Sequence, residues 1–423
     1  MSESRNPQAL LASTLNKVPF IMQILAGLII GVIIGAIYPN DHTVLPTMGS
    51  LFVKALKSVA PILVFVLVAA AIARHEKGTQ SNMRPIVVVY FISMVLASTL
   101  ALSMSYIFPS TFSELASAAD DLSPPQGIAE VLTNFVNQAI DNPVTALMNG
   151  NYIAILFWAI ALGLMFRTAH DNTKKVLEDL TQSVAGVVRI IIRFAPLGVM
   201  GLVYSSVTQE GGFANLLNYV HVLLVLIGSM LLIGFVLNAG IVYYMTRENP
   251  YPLIFTCVAR SGVTAFFTRS SAANLPVNLA LCEKLNLPRE TYTISIPLGA
   301  TINMSGAAVT IVIMTMAAVH TLGIEVDFFS ALLMSISAVL CACGASGVAG
   351  GSLMLIPLAC SIFGIGNDVA MQIVGIGFII GVLQDSSETA LNSATDVLFT
   401  AAACRRAEKI AQKKAAKEQK SAS

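Results

Sequence analysis

Apolar runs long enough to cross a bilayer recur along this chain, near 19–38, 46–73, 85–108, 151–167, 184–207, 217–246, 291–319 and 369–403. Crossing about 30 Å of hydrocarbon takes roughly 20 helical residues, and inside it every backbone amide must find its partner internally, so such runs form transmembrane helices. The composition agrees, with 56% hydrophobic and 11% charged residues against about 25% charged in a soluble domain. In 423 residues, 24 Lys+Arg and 23 Asp+Glu cannot coat the domains that a soluble chain of this length would make. The formal net charge of +1 excludes a broadly basic nucleic-acid binder. No HExxH, GxSxG or Walker A motif occurs, so neither a zinc protease, a hydrolase nor an ATP-driven pump is encoded here.

Two further apolar regions, 252–283 and 328–364, do not read as simple spans. The first is interrupted by AFFTRSSAANLP (265–276), the second by CGASGVAGGS (343–352). Non-helical backbone at membrane depth persists only where it is buried in protein or faces water, so both regions read as re-entrant helical hairpins. Arg247 and Lys284 bracket the first, whereas Asp327 and Asp368 bracket the second. Opposite flanking charge implies entry from opposite sides, the pattern of an inverted-repeat transporter with its site near the midplane.

Basic residues mark alternate loops (Arg74, Lys77 and Arg84; Arg167, Lys174 and Lys175; Arg247; Lys284 and Arg289), while 109–149 carries acids and no Lys or Arg. By the positive-inside rule both termini are expected in the cytoplasm, which eight crossings satisfy. The expected organisation is a cytoplasmic segment over 1–18, one polytopic transporter unit over 19–404 and a basic tail over 405–423. The first span lacks a cleavage site and reads as uncleaved.

The final span carries Asp385, Glu388, Thr389, Asn392 and Asp396, and such residues in hydrocarbon mark an ion or substrate pathway. At about 100° per residue, Asp385, Thr389, Asn392 and Asp396 fall within a stripe of roughly 60°. Two carboxylates, an amide and a hydroxyl on one face suit a hard cation such as sodium, and a carboxylate can also receive an ammonium group. The plain alternative is that these carboxylates only pair with Arg269 or another buried cation. Glu388, just off the stripe, faces a lumen, a neighbour or the substrate. Asn303, Met304, Ser305 and Gly306 break the span at 291–319, where unwound carbonyls can coordinate an ion. Helix ends and Ser hydroxyls at the hairpin tips offer donors to an anion, although Ser270 and Ser271 fit simple tip packing equally well.

Gly27, Gly31 and Gly35 form a small-residue stripe that points to close helix packing, here between subunits. His221 reads as structural. The six cysteines read as small apolar fillers, with neither zinc nor a disulfide framework.

At AFFTRSSAANLPV, IPLGATINMSGA, CGASGVAGGS and QDSSETALNSATD the chain resembles the sodium-coupled dicarboxylate and amino-acid symporters, the glutamate transporter family, and within it the branch carrying serine and threonine. The resemblance implies an all-α integral membrane fold with eight transmembrane helices, two re-entrant hairpins and inverted repeats. It further implies a homotrimer in a bacterial inner membrane, each protomer having a scaffold, mainly its first half, and a transport core with the hairpins at 252–283 and 328–364 that moves like an elevator. It places the substrate at Arg269, Ser270, Ser271, Ala307, Gly347, Val348, Asp385, Glu388, Thr389 and Asn392, with Asp385 on the ammonium and Asn392 on the carboxylate. One sodium site would use Asp396, Asn392 and the carbonyls of Gly299 and Asn303. A second would use Thr301, Met304 and carbonyls near Ala342, Cys343 and Ala345. Sodium is the coupling ion, and no cofactor is expected.

Members that carry acidic amino acids read NMDGT where this chain has Asn303 to Ala307, so the resemblance implies fewer coupled sodium ions here. They also place an arginine where Glu388 stands, to grip a side-chain carboxylate. A carboxylate there repels one, so the expected substrates are serine and threonine. Carriers of acidic amino acids or dicarboxylates coupled to sodium or protons remain the alternative, and a channel or an intramembrane enzyme is a more distant one.

Overall fold

A computed structural model describes residues 19–39, 43–73, 83–112, 115, 133, 136–209, 212–343 and 350–422, and helix is the only regular structure among them. The segment 1–18, Arg74 and Lys77, the acidic stretch 116–132 and the second hairpin tip at 344–349 lie outside the described residues.

The first half is built from α1 (Phe20–Ile37), α2 (Val44–Ala73), α3 (Met83–Ile107), the short α4 (Pro143–Asn149) and α5 (Tyr152–Phe166). Next come α6 (Asp171–Arg193) and α7 (Ala195–Thr208), then α8 (Phe213–Leu232), which runs through a π turn at Ile233–Leu237 into α9 (Asn238–Thr246). The stretch 184–207, expected as one straight span, is instead split between α6 and α7, bent by 54°. Pro196 sits in the first turn of α7, where it cannot donate back to the preceding turn and its ring crowds it, so a continuous ladder is broken. The N-terminal half of α6 is polar, so the apolar signal begins only midway along it.

The first hairpin comprises α10 (Tyr251–Cys257), a π turn at Val258–Gly262, α11 (Val263–Thr268) and α12 (Ser271–Lys284). It is followed by the broken pair α13 (Arg289–Ile302) and α14 (Ser305–Thr321). The second hairpin has α15 (Phe328–Ala342) as one limb, and a 3-10 turn at Leu353–Leu355 with α16 (Ile356–Ile362) as the other. One long helix, α17 (Asn367–Ala422), continues from the membrane into the basic tail. Among the described residues, five helical stretches are apolar and long enough to span alone and the bent pair makes a sixth; shorter apolar helices over 22–37 and 152–166 stand where the other two expected spans fall.

The hairpins enter from opposite poles of α17. At the mouth of the first, Glu248 receives Lys409 at 2.6 Å and Arg405 at 3.7 Å. The Lys409 hydrogen bond, ahead of the charges of Lys409 and Arg405, holds the Glu248 carboxyl below its ordinary value. The clasp is therefore present at neutral pH and fades as acid protonates Glu248. The second hairpin instead leads directly into the N-terminal end of α17, where Asp368 pairs with Lys57 of α2. The tip of the first meets Asp385, about 36 Å along the helix from Lys409, and Gly350 of the second lines the same small pocket, about 26 Å from Asp368.

Helix α14 is buried on every side from Ser305 to Val319, as befits the central element of a bundle. At the C-terminal end of α17 a second apolar cluster gathers Tyr90, Ile296 and Phe399. The six cysteines are free, with all but Cys343 fully buried.

The glycine stripe packs within the chain, not between subunits as expected from sequence. A Cβ built on Gly27 falls 2.2 Å from the Pro196 carbonyl oxygen, one on Gly31 falls 2.5 Å from that of Met200, and one on Gly35 meets Val207 at 3.2 Å. Helices α1 and α7 thus approach backbone to backbone. Gly31→Ala is expected to destabilise the protein by about 1–3 kcal/mol, because two backbones must separate, and a melting curve in detergent without ligand reads this directly. An unchanged midpoint would show that the contact carries no stability.

Candidate functional site

The first hairpin tip and the final span meet at Arg269 and Asp385. Arg269 ends α11 at φ +51°, a left-handed conformation uncommon outside glycine. From there its guanidinium reaches Asp385, with Nε and a terminal nitrogen each 2.7 Å from Oδ2. Gly350 of the second hairpin lines the same small pocket as this carboxylate. Strain at such a position is sustained where the surroundings over-determine it, here by a buried ion pair. The space beside the pair is about 10 Å³, room for about one water.

Ser270 caps α12, its Oγ accepting the Ala273 N–H at 3.2 Å, and Ser271 opens the same helix. Thr389 donates its hydroxyl to the Asp385 carbonyl at 2.7 Å. Asn392 accepts the Gly306 N–H at 2.7 Å, satisfying one of the free amides at the start of α14. Its Nδ2 lies 3.4 Å from the Met304 sulfur. Ala307 is fully buried in that first turn of α14.

The break in the 291–319 span falls at Asn303 and Met304, both non-helical. Asn303 Nδ2 donates to Asp396 Oδ1 and to Thr395 Oγ1, each at 2.9 Å. Asp396 is 1% exposed, and no cation pairs with it among the described residues. The Oδ1 of Asn303 is likewise buried without a partner. Gly299 lies against Asp396, since a Cβ there would fall 2.6 Å from Oδ1. A buried carboxylate without a counter-charge is costly, and an oxygen-only donor set suits a hard cation. The first sodium set expected from the resemblance is therefore gathered in one place.

For the second set, Cys343 at the end of α15 donates its thiol to the Ile302 carbonyl at 3.4 Å, which brings Ala342 and Cys343 to the break beside Thr301 and Met304. Thr301 donates to the Leu298 carbonyl at 2.7 Å. Ala345, Gly347 and Val348 lie outside the described residues.

Glu388 occupies a cradle that sequence reasoning did not foresee. Its Oε2 accepts from Thr310 at 2.9 Å, Ser352 at 2.8 Å and Gln384 at 2.6 Å, joining α14, the second hairpin and α17. Gln384 stands one turn before Glu388, and Thr310 is a hydroxyl in an otherwise apolar stretch, signals that could have suggested the link. The first hairpin is fastened differently. Asn274 donates to Ser393 Oγ at 2.7 Å, Asn278 donates to both the Oγ and the carbonyl of Ser393, and Ser261 Oγ lies 3.3 Å from Ser393 Oγ. His221 of α8 meets Ser110, in the loop after α3, at 3.1 Å.

Two oppositely entering hairpins, a broken helix and a cation-free buried carboxylate, all converging on α17, are the parts of an ion-coupled transporter. The family model of the sodium:dicarboxylate symporter family matches residues 20–405, nearly the whole chain, and this protein belongs to that family.

Proposed function

We propose that this symporter imports serine and threonine with sodium by alternating access. The observation that carries the ion coupling is Asp396, buried without a cation beside the unpartnered oxygen of Asn303. Asp385 supports an amino-acid substrate, because a carboxylate that already holds a guanidinium can hold an ammonium in its place. Selectivity rests on Glu388, an acid where the resemblance expects an arginine in carriers of acidic substrates. An anionic side chain brought near it would meet repulsion, and nothing in its cradle is cationic.

Sodium and substrate each favour closure of the second hairpin, so their affinities are linked. A homotrimer in a bacterial inner membrane, with both termini cytoplasmic and a core moving against a scaffold of the first helices, belongs to the same proposal. The backbone-close seal of α1 against α7 supports a rigid scaffold.

Uptake of labelled serine into liposomes, under an inward sodium, potassium or proton gradient, tests the reading. Saturable uptake driven by sodium alone, competed by threonine and not by aspartate or succinate, is expected. Competition by aspartate or succinate would instead favour an acidic-substrate carrier. Glu388→Arg is expected to gain affinity for aspartate while losing the tie to Ser352. Without such a gain in competition assays, Glu388 has no part in selectivity.

A further inference from the structure

A cavity of about 260 Å³ lies between α8, the first hairpin and α17, on the side of α17 away from Asp385 and Asn392. Its walls include Gly234, Phe235, Cys257, Phe266 and Leu391, and no charged residue lines it. Asn238 also lines it, 1% exposed, with neither its amide oxygen nor its amide nitrogen hydrogen-bonded. An amide buried among apolar side chains without partners costs on the order of 1–3 kcal/mol. Both helices flanking the cavity depart from α geometry where they face it, with π turns at Ile233–Leu237 and Val258–Gly262. Such turns recur at functional sites, and here they place Asn238 immediately after one of them.

We propose that this cavity binds a small neutral amphiphile drawn from the bilayer, an apolar body carrying one group that both donates and accepts a hydrogen bond, such as a hydroxyl. The absence of a lining charge excludes an anionic or cationic head. The free oxygen and free nitrogen of Asn238 together match a hydroxyl, which a bare carboxylate or an ester would satisfy only in half. The volume sits just below the range of about 300–1,000 Å³ typical of drug-sized ligands, which limits the body to a short chain. The cavity shares a wall with the ion site: Thr395 lines it and accepts the hydrogen bond from Asn303.

The test is photolabelling of the full protein in lipid vesicles with a diazirine-bearing octanol, with adducts mapped by mass spectrometry. Saturable adducts within 227–238 and 254–266, competed by plain octanol, are expected. Asn238→Leu is expected to raise the half-saturating concentration about tenfold, the equivalent of one lost hydrogen bond. Gly234→Leu is expected to abolish labelling by filling the space. A Cβ at Gly234 meets only Leu391, at an ordinary contact distance of 3.6 Å, so the first atom of the side chain fits without displacing a neighbour. Adducts that are not competed by octanol, that spread over the lipid-facing helices, or that persist unchanged in either variant would overturn the proposal.

Discussion

Asp396→Asn is expected to abolish sodium-dependent uptake. Asparagine keeps the shape and can still meet Asn303, but the charge that would balance a bound cation is gone. Removing one member of a buried charge pair costs about 3 kcal/mol or more, on the order of 100-fold in sodium affinity. In sodium-free buffer the sign reverses. The wild-type carboxylate is then buried beside one amide donor, so the variant is expected to melt at or above the wild-type midpoint. Sodium should raise the wild-type midpoint and leave that of the variant unmoved. These two melting curves separate loss of the ion site from loss of the fold. Full uptake with unchanged sodium dependence in Asp396→Asn would remove Asp396 from the site.

The second large effect is expected at Asp385. Replacing it by asparagine leaves the Arg269 guanidinium, 13% exposed at its side chain, without its partner, at a cost of about 3–5 kcal/mol. The same change removes the carboxylate that the first hairpin tip holds and beside which Gly350 of the second hairpin lies. Every amino-acid substrate should weaken alike, because the ammonium group is common to all of them, and competition among serine, threonine and alanine measures it. A loss confined to one substrate would place Asp385 against a side chain. Arg269→Ala is the complement: it frees Asp385, so serine is expected to stabilise that variant by more than it stabilises wild type, as read by the ligand-induced rise in melting midpoint.

Much of the architecture was legible because hydrocarbon imposes one rule on long segments. The spans, both hairpins and the break at Asn303 and Met304 followed from runs of apolar residues and from the polar or small residues that interrupt them. The bend before Pro196 was missed because a window of hydropathy weighs composition and not the direction of the axis. The glycines of α1 showed that a close contact existed, yet its partner, α7, lies more than 150 residues away in the chain, and spacing on one helix says nothing of what it touches. The site divides in the same way. Asp385, Asn392 and Asp396 share one face of one helix, so periodicity alone aligned them. The cradle of Glu388 draws on Thr310, Ser352 and Gln384 from three elements, and only Gln384, one turn away on the same helix, is joined to it by a local pattern.

The unequal fastening of the hairpins has a kinetic consequence. Among the described residues, the first is joined to α17 through the Asn274, Asn278 and Ser261 bonds to Ser393 and the Arg269 ion pair, whereas the second is joined through Ser352. At about 1 kcal/mol for each hydrogen bond, lifting the first hairpin demands several kcal/mol more than lifting the second. Backbone amides around Leu353 should therefore exchange with deuterated water far sooner than those around Asn278. If exchange shows one flap that lifts readily and one that does not, lifting each flap in turn is no route for water to enter alternately from the two sides. Access to the second side then comes from displacement of the whole unit that carries both flaps.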